Sequence, residues 1–361
     1  MNKRWLMATL TVVLAAGCAN TAPSPGASSV PDAAAAAKAA MGAAFAKALQ
    51  GDGPGAVAVL RPLDPALLPD KARPIRECML QRLDARTLPV SPLENDKFLN
   101  AVLRAYQEYW LRSLRGEHPA AENEAWLLDS LNTLVSSSGG KRAKNMDELE
   151  PALAVLIEPH GFHSLEGQTL PLRELMLWKT QTPQRYDVQL PEGPQPVTVT
   201  FMDDFASLGW AAFATCDAAH TGGWTKPESL YAVRSAYDTR SEHFRVSYLA
   251  HEAQHYSDNA RFPNLEQPEL EYRAKLTELA VGKTMVYGLL DFFDGNVSAD
   301  RNVPHSFANG RVVADLRARL FGSGGAPPRW RDASVDRINA AAAELLKGDT
   351  QRLSQAPAVS H

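Results

Sequence analysis

Cysteine is scarce: three residues in 361, at positions 18, 78 and 216. So few thiols exclude a disulfide-dense scaffold. Beyond residue 17 no apolar run approaches the roughly 18 residues of a membrane-spanning helix. Neither sign of charge dominates, since 37 basic and 41 acidic residues leave a net charge of −4 and a pI of about 6.2. With no basic surface implied, a nucleic-acid partner is not expected. Proline (25) and glycine (23) stand near ordinary usage, which excludes a low-complexity chain. No fixed period runs through the sequence, so a repeat array is unsupported. What remains is a globular balance, 45% hydrophobic and 22% charged, in a chain long enough for two or three domains.

The N-terminus reads as an address. Met1-Asn2-Lys3-Arg4 is followed by the apolar stretch Trp5 to Ala16 and then Gly17-Cys18. A basic start, a short apolar run and small residues at its end make a secretory signal. Leu14-Ala15-Ala16-Gly17-Cys18 resembles a bacterial lipobox. That resemblance implies a signal peptide over 1–17, acylation of Cys18 and a lipid bilayer as partner. Ala19 rather than Asp after Cys18 favours, by the same resemblance, the outer membrane. Residues 18–32, rich in Pro and Ser, read as a flexible tether with a reach of about 20 Å. The compartment is then oxidising, and the even count left by Cys78 and Cys216 favours a bridge between the two main parts of the chain.

From residue 33 to about 180 the pattern is helical. Met41, Phe45 and Leu49 recur at four-residue steps, as do Ile75, Met79 and Leu83, and Phe98, Val102, Tyr106 and Trp110. Further helices are expected over 119–135 and 146–157. The period then changes to two: Tyr186, Val188 and Leu190, a turn at Pro191-Glu192-Gly193-Pro194, then Val197, Val199 and Phe201 predict a hairpin. Another strand is expected over Leu230–Tyr237, then helices over 241–257, with a Thr239…Glu242 capping box, and over 268–292. Helical pieces near 311–321 and 335–346 precede a polar tail over 351–361.

One motif carries chemistry: His251-Glu252-Ala253-Gln254-His255. Residues i and i+4 of a helix leave the same face, so both imidazoles can share a metal ion, with Glu252 beside them to act on a bound water. Phe244, Tyr248, His251 and His255 fall on one helical face in an α-helical count, which puts the ligands on the buried side, under a sheet. A third protein ligand is needed. Asp258 and Arg261 stand where a metzincin requires Gly and His, so that class is rejected. Glu269, Glu271 and Glu278 lie on the next helix. His160 and His163 read as loop residues; no oxyanion stabiliser is identifiable, since Tyr256, Tyr272, Tyr287, His243 and His305 are all donors and each reads first as structural.

Residues 195–292 resemble a zincin of the gluzincin type, through His-Glu-x-x-His followed by Glu271-x-x-Ala274. The resemblance implies Glu271 as third ligand, Glu278 as second choice, and Zn²⁺ as cofactor. It also implies an edge strand, placed here at Leu230–Tyr237, that pairs with an extended substrate. Lys275 occupies the position where gluzincins often carry an Asp that orients a His, so another carboxylate is required, Asp258 being near in sequence.

The expectation is an α+β, mostly helical chain: a helical region over 33–180, then a zincin-like metallopeptidase domain over 181–350. The function expected is zinc-dependent hydrolysis of a peptide or a peptidoglycan-derived substrate at the cell envelope, with Glu252 as general base. The alternative is a non-catalytic, zinc-stabilised envelope lipoprotein that binds a partner.

Overall fold

A computed structural model describes residues 30–226, 228–322 and 328–355. The signal peptide, Cys18, most of the tether and residues 356–361 of the tail lie outside the described residues. The fold is α+β, mostly helical, with one small five-stranded sheet. Among the described residues no helix is long and apolar enough to cross a membrane. The chain forms two compact units: residues up to Gln181 with Met202–Gly223, and Thr182–Phe201 with the chain from Trp224 onward.

The first unit opens with α1 (Val30–Leu49), α2 (Gly53–Leu60), α3 (Ala72–Leu83), α4 (Lys97–Leu114), α5 (Ala120–Ser137) and α6 (Met146–Ile157). Val30–Asp32 thus belong to α1 and not to the tether. The helices start at side-chain caps where the sequence supplies them: Asp52 accepts from Gly55 N at 2.8 Å, and Asp96 from Leu99 N at 2.9 Å. A Cβ on Gly55 would stand 2.0 Å from the Asp52 carboxylate, so this cap requires glycine. The apolar stripe of α4 (Leu99, Val102, Leu103, Tyr106, Trp110, Leu114) is buried among Met79, Leu127, Leu131, Leu149 and Leu153.

The helical expectation fails over 163–180. Strand β1 (His163–Thr169) pairs antiparallel with the start of β2 (Leu172–Leu190). Leu175, Met176, Leu177 and Trp178 are all buried, and a continuous apolar run carries no period that separates strand from helix. His163, read as a loop residue, opens β1. The unit closes with the end of β3 (Gly193–Leu208) and the buried helix α7 (Trp210–Thr215). Cys216 follows α7 in a left-handed conformation (φ 52°) and is disulfide-bonded to Cys78 of α3. Both cysteines lie in this unit, so the bridge does not join it to the residues that carry the His-Glu-x-x-His motif.

In the second unit β2 and β3 form the hairpin around Pro191-Glu192, followed by most of β4 (Gly223–Lys226) and by β5 (Ser229–Val233). The strand order is β1-β2-β3-β5-β4. The expected edge strand is therefore interior: β5 lies between β3 and β4, and β4 is outermost. It also stops at Val233, where a 3₁₀ turn begins. A π-helical turn, Phe244–Ala250, runs directly into α8 (His251–Arg261). Its aromatic side packs with the sheet residues: Phe244 stacks on Phe201 at 5.9 Å and Tyr248 donates to Tyr231 O at 2.8 Å. Ser241 Oγ caps this helix through Phe244 N; Glu242 instead accepts from Lys283 N and Thr284, so no capping box forms.

The helix expected over 268–292 is two: α9 (Gln267–Val281) and α10 (Val286–Gly295). Gly282 adopts an extended conformation between them. Helices α11 (Pro304–Phe321) and α12 (Val335–Gln355) complete the unit, and α12 takes in the first residues of the expected tail. Leu276, Leu279, Leu290, Val312, Ile338 and Leu346 form its helical core.

Candidate metal centre

Three buried polar pairs lock α8 against α9 in antiparallel register. Asp258 holds Arg273 with two bonds of 2.8 and 2.9 Å. Thr277 Oγ1 donates to Gln254 Oε1 at 2.9 Å, and His251 Nδ1 meets Glu278 Oε1 at 2.7 Å. Residue numbers fall along α8 as they rise along α9, so any slip breaks all three pairs and strands buried polar groups. Arg273 is fully buried, and its position two residues after Glu271 fixes where that carboxylate meets the imidazoles.

His251, His255 and Glu271 are brought together as a buried group that could hold a metal ion. The two Nε2 atoms stand 3.0 Å apart, His255 Nε2 is 3.4 Å from Glu271 Oε1, and His251 Nε2 is 3.6 Å from Glu271 Oε2. An ion bound tetrahedrally with bonds of about 2.0–2.1 Å separates its ligand atoms by about 3.3 Å, close to this triangle. The donor set suits a borderline cation. Neither Glu271 oxygen makes a well-aligned hydrogen bond, although burial demands partners for both.

Glu278 lies outside the triangle. One oxygen takes His251 Nδ1 and the other accepts from Ser247 Oγ at 2.8 Å, which leaves His251 Nε2 directed to the ligand triangle. This is the orienting carboxylate for which the sequence pointed to Asp258; Asp258 is instead consumed by Arg273. Lys275, at the position gluzincins often give to Asp, places its ammonium over the Phe293 ring at 4.7 Å. His305 Nδ1, at the start of α11, stands 2.7 Å from Glu271 Oε2, a partnership that spacing could not have revealed.

Charge follows this geometry. Burial pulls His251 down, but the bond and charge of Glu278, with Glu271 and Glu252 behind it, raise it to about 9. Burial pushes Glu271 up, and His305, His255 and His251 together hold it well below the usual carboxylate range. Burial pushes Glu278 up, and His251, Lys275 and Ser247 together hold it below its usual range.

Glu252 leaves α8 on the other side. Its Oε2 accepts from Thr225 Oγ1 of β4, while Oε1 is buried without a partner. The expectation that ligands and aromatics share one face under the sheet is therefore corrected: Tyr248 and Glu252 contact sheet residues, and the imidazoles meet α9. Of the other side chains singled out, Tyr272 donates to Asp315 at 2.7 Å, Tyr287 to Ala333 O at 2.9 Å, and His243 stacks on Tyr237 at 6.5 Å. Tyr256 lines a cleft with Arg185 and Glu228. His160 pairs with Asp96 at 2.6 Å. Tyr237, missed in the sequence, has a buried hydroxyl without a partner; burial and the Glu252 charge push it up.

Comparison of the chain with protein-family models, curated proteins and solved structures finds no match.

Proposed function

We propose that the chain is a zinc-dependent hydrolase of the cell envelope, a zincin-like peptidase in which Glu252 is the general base. The observation that carries this reading is Glu252: next to His251 in the chain, near enough for its charge to act on that imidazole, outside the ligand triangle, and with one carboxylate oxygen unpartnered. Zinc, when bound, supplies a Lewis acid and lowers the pKa of its water. Thr225 fixes Glu252 Oε2, leaving Oε1 to take a proton and pass it to a leaving amine. Because Thr225 belongs to the outermost strand, a peptide paired with β4 would run beside Glu252. The substrate class is a peptide, whether from an envelope protein, a secreted peptide or a peptidoglycan cross-bridge.

Glu252→Gln keeps size and hydrogen-bonding atoms but cannot accept the proton. It should keep zinc stoichiometry and melting temperature, and lose hydrolysis by a factor of about 10²–10⁴. Full activity in a zinc-loaded Glu252→Gln chain would sink the mechanism. Burial favours a second reading, a zinc-stabilised binding module: Glu252 and Glu271 are 0% exposed, and His251 and His255 only 4%. That reading gains if wild type cleaves nothing in a broad peptide and muropeptide panel while zinc removal lowers its melting temperature. Envelope anchoring rests on Cys18. Palmitate incorporation should vanish in Cys18→Ser, and equal labelling would end the lipoprotein reading.

A further inference from the structure

Strand β2 runs from Leu172 to Leu190, yet β1 covers only Leu172–Trp178 of it. Past Trp178 that margin of β2 has no strand partner among the described residues. Pro183 sits in this stretch, as a residue without an N–H can only where the ladder does not need one. Arg185, Asp187 and Gln189 share its parity, so their N–H and C=O groups point off the sheet. Tyr186, Asp187, Val188 and Gln189 form one wall of a groove of about 540 Å³. The opposite wall is the π-helical turn, with Val246 and Leu249, and the end of α9 at Val281.

The side chains of β2 alternate. Tyr186 and Val188 are half-buried on the helix side, where Tyr186 meets Phe244 at 6.0 Å; Asp187 and Gln189 are exposed on the other face. The charges on the helix side are unequal. Glu242 accepts from the backbone of Lys283 and from Thr284, and its charge offsets that of Arg245. The Lys283 ammonium makes no ion pair among the described residues, and the Arg245 guanidinium donates to Arg240 O. The groove thus offers an unused strand edge, an aliphatic floor and, on the helix side, the cation of Lys283.

We propose that this groove binds an extended peptide as an added strand on β2, with an aliphatic side chain over Val188 and Val246 and a carboxylate two residues away facing Lys283. Side chains two apart share a face, which sets that spacing. The proposal is independent of the metal centre.

The test is fluorescence polarisation on the full chain with a fluorescein-labelled probe, Ser-Thr-Val-Thr-Glu-Thr-Ser, checked intact by mass spectrometry. Two N-methylated versions block alternate sets of N–H groups. A strand paired on one edge uses only one set, so one version should bind at least about tenfold more weakly and the other unchanged. Replacing Glu by Lys in the probe, or Lys283→Glu in the chain with an unaltered melting temperature, should each weaken binding about fivefold. The two changes together should restore it. Absence of saturable binding, equal effects of both methylation patterns, or indifference to the charge reversals would overturn the proposal.

Discussion

Removing the Glu278 carboxylate separates two consequences of one hydrogen bond. In Glu278→Ala, His251 Nδ1 loses its 2.7 Å partner and Ser247 its 2.8 Å partner. The site is closed to water on that side, since Glu278 is itself buried, so the ring loses its orientation. Loss of a carboxylate that orients a ligating histidine costs about 10–100-fold in metal affinity, or about 1.4–2.7 kcal/mol. Proton competition acts the other way. Glu278, with Glu271 and Glu252 behind it, outweighs burial in holding His251 up to about 9, so at pH 7 an incoming ion must displace a proton. That penalty is about 100-fold at pH 7 and about twofold at pH 9. Without Glu278, burial pulls His251 down and the penalty shrinks. Zinc affinity, measured by competition with a chromophoric chelator, should therefore fall about 10–100-fold in Glu278→Ala at pH 9 and much less at pH 7. Glu278→Gln, whose amide oxygen can still accept Nδ1–H, should lose less at pH 9. Wild-type affinity in Glu278→Ala at pH 9 would refute the orienting role. Zinc lost in Glu278→Ala at both pH values but kept in Glu271→Ala would make Glu278 the ligand.

The disulfide and a buried carboxylate give two further tests. Cys78 and Cys216 are 138 residues apart, and closing so long a loop contributes about 5 kcal/mol in the chain-entropy treatment. The Cys78→Ser, Cys216→Ser chain should lose several kcal/mol in urea unfolding; an unchanged midpoint would show that the bridge does not constrain the unfolded chain. Glu174 is pushed up to about 7 by burial, against hydrogen bonds from Thr169 and from the N–H groups of Trp210 and Leu175. A carboxyl with a raised folded pKa contributes its full stability below about 4.5, and that contribution is lost as pH rises through about 7. The stability of wild type relative to Glu174→Gln should fall by up to about 3 kcal/mol between pH 4.5 and pH 8. A difference that stays constant with pH would contradict it.

The parts of the fold that were legible in the sequence are those whose period is local. Met146–Ile157 was readable to its ends because Asn145 caps it and an apolar stripe follows. His251 and His255 were readable as a pair because four residues make about one helical turn. Glu278 was not readable as the partner of His251, because its role depends on the register between α8 and α9. That register is fixed by Asp258–Arg273 and Gln254–Thr277, pairs without any sequence spacing of their own. Nothing in the sequence marks strand β4, since Gly223-Trp224-Thr225-Lys226 is too short to show alternation. Leu175–Trp178 carries no strand signal, because a strand buried on both faces has no polar residues to mark its period.

The π-helical turn before α8 sets the angular phase of everything after it. Each of its seven residues advances the chain by less than an α-helical step, so His251 arrives about a third of a turn behind an α-helical count. In that count His251 would follow Phe244 and Tyr248 toward the sheet. With the retarded phase Glu252 follows them instead, reaching Thr225, while His251 and His255 swing toward Glu271 and Glu278. The turn works as a fixed rotation between two dials: one aligns rings with strands, the other aligns nitrogens with carboxylates. Deleting a single residue within Phe244–Ala250 would reset one dial against the other, and the five residues from His251 to His255 would stay intact in sequence yet face the wrong walls.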